Sequence, residues 1–261
     1  MKYNLIILFI VIISCESKTQ RVIKKLSNGN DTLIEEPSYL RKKVFQESYP
    51  GILVFKQIIK DDQGRIIQER TIDENGRLVK LLMQYPIIDY TYDSIGNLIL
   101  TERRDRNHQL TSHMGEAPSV KNKYDKNNNL VKIKYLDENG NYFYPISQTS
   151  IVEHSYDDLN RRIQTKYLNK KRNPKRKASI IDYSYDSLNR VIKEYIYDYS
   201  NGNRELFYFK EFKYTPNDTI EKRIKPDGSL IMHLKRTKEA VYVITEETDS
   251  TTTFYISEEH K

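Results

Sequence analysis

The chain has 261 residues, a net charge of +7, one cysteine, no tryptophan and twenty-one tyrosines. A single cysteine excludes an internal disulfide framework, and so modest a charge over this length is no signature of nucleic-acid binding. Tyr and Ile favour strands, Asn, Asp and Gly favour turns, and long apolar periods of 3.6 residues are missing; together these point away from a helical protein.

The chain opens with Met1-Lys2 and then an apolar run, Leu5-Ile6-Ile7-Leu8-Phe9-Ile10-Val11-Ile12-Ile13. That run falls short of the ~20 residues a spanning helix needs and has the length and flanks of a signal-peptide core. It ends in Ile12-Ile13-Ser14-Cys15, which resembles the lipobox of bacterial lipoproteins. The resemblance implies diacylglycerol on the Cys15 thiol and cleavage just before it, so residues 1–14 are read as signal peptide. Two or more acyl chains give stable anchoring where one does not. The expected location is the bacterial cell envelope, at the outer membrane, with membrane attachment through lipidated Cys15. Residues 15–32 are polar and read as a lipidated tether, and residues 33–59, with Leu53-Val54-Phe55, as an N-terminal cap.

From residue 60 to about 231 the chain repeats. Tyr92-Asp93-Ser94-Ile95-Gly96-Asn97-Leu98, Tyr124-Asp125-Lys126-Asn127-Asn128-Asn129-Leu130, Tyr156-Asp157-Asp158-Leu159-Asn160-Arg161-Arg162 and Tyr185-Asp186-Ser187-Leu188-Asn189-Arg190-Val191 align without gaps. Lys60-Asp61-Asp62-Gln63-Gly64-Arg65-Ile66 precedes them, and Tyr214-Thr215-Pro216-Asn217-Asp218-Thr219-Ile220 follows. Successive starts are 32, 32, 32, 29 and 29 residues apart, a period that implies a repeat architecture. A second turn follows each first one by about twelve residues, clearest in Ile72-Asp73-Glu74-Asn75-Gly76-Arg77 and Leu136-Asp137-Glu138-Asn139-Gly140-Asn141. One unit therefore reads strand, turn, strand, turn.

The spelling of the turns has a physical reason. Gly96, Asn128, Asn160 and Asn189 are residue types that tolerate positive φ. Asp93, Asp125, Asp157 and Asp186 can accept hydrogen bonds from amides two residues on, so these eight residues are read as structural turn positions. Strands entering the turns alternate: Ile88, Tyr90 and Tyr92 share one side, with Asp89 and Thr91 on the other. After the turns come apolar pairs, Leu98-Ile99, Leu130-Val131 and Val191-Ile192, which are either buried from both sides or sit at a twist in the strand. The Tyr-Asp pattern resembles the YD repeat of the RHS family, in which such repeats build β-strand shells. The resemblance implies a repeat-strand architecture over residues 60–231, with residues 232–261 as C-terminal capping strands. The expected fold is all-β, an antiparallel repeat meander forming an open or curled single sheet, a solenoid-like array of hairpins.

Chemistry is harder to find. His108 and His113 flank a loop without metal-site spacing, and His154 stands in the column of Tyr90 and Tyr183, where a packed ring is expected. No nucleophile elbow or phosphate loop occurs. Neither a metal site nor a cofactor is expected, and the aspartates are accounted for by turns. A basic segment, Lys166, Lys170, Lys171, Arg172, Lys175, Arg176 and Lys177, is either a solvated loop that discourages edge pairing or an anion-binding contact for a polyanionic glycan or lipid. The expected function is a non-catalytic, lipid-anchored envelope protein presenting a binding or scaffold surface to such a ligand or to a protein. The alternatives are an immunity-type partner neutralising a toxin and, lowest, a glycan-processing hydrolase with a dispersed site.

Overall fold

The computed structural model describes residues 21–25, 31–35, 54–73, 75–80, 85–113, 115–145, 148–174, 177–200, 202–237, 241–244 and 251–254. Cys15, Lys175 and Arg176 lie outside them. Every described element is a strand or a turn. Seventeen strands form one sheet: β1 (Arg21–Lys25), β2 (Asp31–Glu35), β3 (Val54–Lys60), β4 (Ile66–Asp73), β5 (Ile87–Tyr92), β6 (Leu98–Arg104), β7 (Ser119–Tyr124), β8 (Leu130–Leu136), β9 (Ile151–Tyr156), β10 (Arg162–Leu168), β11 (Ile180–Tyr185), β12 (Val191–Ser200), β13 (Asn203–Tyr214), β14 (Thr219–Ile224), β15 (Leu230–Arg236), β16 (Val241–Ile244) and β17 (Thr251–Phe254). Each strand pairs antiparallel with the next in sequence, from β1·β2 to β16·β17. No pairing joins β1 to β17 among the described residues, so the meander is open. β1 falls within the stretch read as tether. It pairs with β2, Lys25 lying opposite Asp31.

The apolar pairs after the Tyr-Asp turns are bulges. Tyr92 pairs Leu98 while Thr91 pairs Leu100, which leaves Ile99 without an opposite residue. Val131, Ile163 and Ile192 are left over in the same way at the next three turns. An extra residue restarts the alternation, so two neighbouring apolar residues can belong to one well-formed strand. Of the two readings open in the sequence, the twist in the strand is the one observed.

Burial is concentrated at the opposite end of the strands, beside the second turns. After β4, β6 and β8 the chain folds back on the strand it has just left: Val79, Thr111 and Phe143 donate their amides to the carbonyls of Thr71, Arg103 and Tyr135, at 2.9, 3.0 and 2.9 Å. The amides of Thr71, Arg103, Tyr135 and Tyr167 are taken by the carbonyls of Pro86, Pro118, Ser150 and Ser179, each just ahead of the next strand. This second layer closes over Ile87, Ile151, Pro86, Pro118, Ser150 and Ser179, all less than 2 % exposed. The carbonyls of Pro86, Pro118, Ser150 and Ser179 are thus paired, as burial demands. A single sheet thereby gains a narrow core along one margin, and both broad faces stay available.

Candidate functional site

The Tyr-Asp turns form a lattice in which each residue type has a defined task. Asp157 Oδ1 accepts the amides of Leu159 and Arg161 at 3.0 and 2.9 Å, while its Oδ2 holds Arg161 Nε at 2.7 Å. Asp61, Asp93, Asp125 and Asp186 make the same pair of amide bonds. The fifth position sits at positive φ, 96° at Gly96, 64° at Asn128, 59° at Asn160 and 60° at Asn189. The motif tyrosine reaches back one unit: Tyr92, Tyr124, Tyr156, Tyr185 and Tyr214 donate their hydroxyls to the carbonyls of Ile66, Leu98, Leu130, Arg162 and Val191 at 2.7–3.1 Å. Arg65, Arg161 and Arg190 reach forward, with their guanidinium carbons 4.9, 5.0 and 4.7 Å from the ring centres of Tyr92, Tyr185 and Tyr214.

Asparagine at the fifth position adds a link that glycine cannot. Asn160 Oδ1 accepts from Asn127 and Asn129 of the preceding turn at 3.1 and 2.9 Å, and Asn189 Oδ1 accepts from Arg161 at 3.2 Å. Sequence reasoning found the positive φ and missed this ladder, because it joins residues 28 to 33 positions apart.

The turn carboxylates are tuned by these contacts. The Arg161 amide, with its guanidinium, holds the Asp157 carboxyl below the ordinary aspartate range, and Arg190 does the same to Asp186. At Asp93 and Asp125 the partial burial that would raise the value is outweighed by the amides and side chains of Asn97 and Asn129. For a depressed carboxyl, the stabilisation is complete above the unfolded value near 3.9 and is lost as pH falls through the lower folded value. We therefore expect the melting temperature to fall with acidification below about pH 4. Asp157→Asn should lessen that acid dependence, since Asn169 already serves as the turn acceptor in a second-turn copy, at 2.9 and 3.2 Å from the amides of Lys171 and Asn173. Melting curves across the acid range check both expectations.

Tyr90, Asn122, His154 and Tyr183 hold equivalent positions on the aromatic face, two residues ahead of each motif tyrosine; across the strands Tyr90 pairs with Thr101, Asn122 with Ile133 and His154 with Thr165. His154 Nδ1 lies 3.0 Å from Thr165 Oγ1, which is 3.2 Å from the Tyr183 hydroxyl. Burial, with Arg162 nearby, pushes the His154 pKa down, so the ring packs neutral. Burial and then the Glu69 carboxylate push Tyr90 up to about 12. A cleft of about 400 Å³ on this face is lined by Arg103, Glu116, Val120, Tyr135, Val152 and Tyr167, among others. Arg103 is engaged there, 3.4 Å from Glu116 and 5.5 Å from the centre of the Tyr85 ring. His108 is an exposed turn residue at φ 64°, and His113 packs edge-on against Tyr85 with ring centres 6.2 Å apart. No group of three metal-ligating side chains occurs among the described residues.

The opposite face is charged and crossed by ion pairs. Arg104 binds Asp89 and Glu102 at 2.7 and 2.5 Å, Lys132 binds Glu153 at 2.7 Å, Arg204 binds Asp182, and Lys193 binds Glu211 at 2.8 Å. The basic segment disperses on this side. Lys166 is half-buried on β10 opposite Glu153, while Arg172 and Lys177 are exposed, Arg172 at the positive-φ position of its turn. Lys170 and Lys171 instead join Lys121 and Lys134, with Tyr142 and the Asp137 turn, around a cleft of about 810 Å³.

The molecule belongs structurally to the open antiparallel β-meanders. No family model matches the chain, and no curated protein matches it. Among solved structures it is similar to a chain of the Tc holotoxin pore from Photorhabdus luminescens, at 14% identity and a TM-score of 0.32, over 91% of this chain and 14% of that one. The chain thus spans about a seventh of the length of that neighbour.

Proposed function

We propose that this chain is a non-catalytic, lipid-anchored envelope protein of the YD-repeat type, holding a repeated β surface at the membrane for binding or scaffolding. The observation that carries the reading is the engagement of the repeated aspartates: Asp93, Asp125, Asp157 and Asp186 each accept two turn amides through one oxygen. A carboxylate so held below its ordinary range is a poor general base and is not an acid near neutrality. The broad faces, by contrast, present tyrosines on one side and ion pairs on the other. The lipobox-like Ile12-Ile13-Ser14-Cys15 supplies the membrane attachment in this reading.

Crosslinking in intact cells tests it. The anchored chain is expected to give a discrete adduct, and a version exported by an ordinary cleavable signal, without Cys15, is expected to lose it. An adduct of equal yield without the anchor would overturn the membrane-held part of the proposal. A captured toxin would assign the chain to the immunity class instead.

A further inference from the structure

The repeat predicts its own charges, and at two places the chain departs from them in the same direction. Three residues ahead of the motif tyrosine stand Asp89, Glu153, Asp182 and Glu211, and each is ion-paired. The corresponding residue of β7 is Lys121. Directly across the hairpin it faces Lys134, a like-charged pair of the kind that destabilises a sheet. No carboxylate pairs with Lys121 or Lys134 among the described residues. The second departure is in the second turns, where Asp73, Asp105 and Asp137 are followed by Asn169; the next position, Glu74, Arg106 and Glu138 in the earlier copies, is here Lys170. Asn169 keeps the turn's hydrogen bonds and removes its charge.

Both departures open onto one cleft. The residues around its ~810 Å³ include four lysines, Lys121, Lys134, Lys170 and Lys171, against a single carboxylate, Asp137. Asp137 itself is occupied by the amides of Asn139 and Asn141, at 3.0 and 2.8 Å. Other nearby acids are engaged elsewhere: Glu153 with Lys132 at 2.7 Å, and Glu138 with the Ser112 amide at 3.1 Å. Lys170 is steadied by the Tyr144 ring, with Nζ 5.5 Å from its centre.

We propose that this cleft binds a phosphate group carrying two or more negative charges, or a cluster of phosphodiesters, held by Lys121, Lys134, Lys170 and Lys171. Lysine ammonium groups act as compact point charges with rotatable donors, which suits a tetrahedral anion approached from several sides. A multivalent anion removes the Lys121–Lys134 repulsion, which no carboxylate among the described residues does by pairing with them. The assignment rests on the surface-binding reading above and gives that surface a ligand chemistry.

The test uses the full-length chain in neutral detergent at fixed ionic strength, titrated calorimetrically with pyrophosphate, with inorganic phosphate, and with phosphatidylglycerol in the same micelles. Binding of pyrophosphate or phosphate marks a soluble phosphorylated ligand, and binding of phosphatidylglycerol alone marks a lipid headgroup; either supports the site. Lys121→Glu restores the charge the other repeats carry, so the melting temperature should hold or rise while affinity falls about tenfold or more. Lys170→Gln, at an exposed position, should weaken binding in the same direction. Unchanged affinity in both variants, or no binding of any of the three probes, would overturn the proposal. The crosslinking result depends on Cys15 and not on these lysines, so failure of one leaves the other standing.

Discussion

Replacing Ile151 with alanine is expected to destabilise the sheet by about 2–5 kcal/mol. Ile151 is fully buried, opens β9, and sits between Leu168 on β10 and Lys134 on β8. The chain after β8 folds back beside it, with Phe143 hydrogen-bonded to Tyr135 at 2.9 Å and Ser150 Oγ to the Phe143 carbonyl at 2.6 Å. A cavity there has only the fold-back of the chain after β8 from which to refill, because the described strands all belong to one sheet. The contrast is Ile95→Ala: Ile95 is 67% exposed at a turn tip, and surface changes of that kind usually stay within about 0.5 kcal/mol. Denaturant unfolding of the two variants measures both. Equal losses would mean that the buried margin is not where stability resides.

The second large effect is expected at Asn160, where two substitutions separate two roles. Asn160→Val should cost about 2–3 kcal/mol, since a β-branched residue at φ 59° is strained and two side-chain hydrogen bonds from the preceding turn are lost. Asn160→Gly keeps the backbone conformation and loses only the exposed bonds, so it should cost about 1 kcal/mol or less. If the valine variant were as stable as the glycine variant, the positive φ would not be what selects this residue. In a repeat array such losses propagate to neighbours through their shared interfaces, so the unfolding transition of the valine variant should also broaden.

The turns and the strand alternation were legible in the sequence because both are local. Asp157 and Asn160 lie within one five-residue loop, and the side preference of Ile88, Tyr90 and Tyr92 follows from the pleat alone. The apolar pairs such as Leu98-Ile99 were legible as an anomaly, but only the pairing of Tyr92 with Leu98 and Thr91 with Leu100 makes Ile99 a bulge. What the residues could not disclose is lateral. The Tyr156 hydroxyl reaches Leu130, and Asn160 reaches Asn127 and Asn129, about one repeat back, and the period alone does not say which side chains meet there. The basic segment shows the same limit most plainly. Read as a run, it joined Lys166 to Lys177; folded, of its described residues only Lys170 and Lys171 line that cleft, and their companions Lys121 and Lys134 come from β7 and β8. Aligning the repeats column by column would have shown Lys121 standing where carboxylates are otherwise found, and that signal was available.

Membrane attachment through Cys15 is the premise on which the proposed role depends, and fatty-acid labelling tests it most directly. Cells grown with labelled palmitate should yield a labelled protein whose mature chain begins at Cys15, fourteen residues shorter than the full sequence. Cys15→Ala should be unlabelled and retain those residues. Label persisting in the Cys15→Ala chain, or a wild-type chain cleaved elsewhere without label, would contradict the lipid-anchored reading.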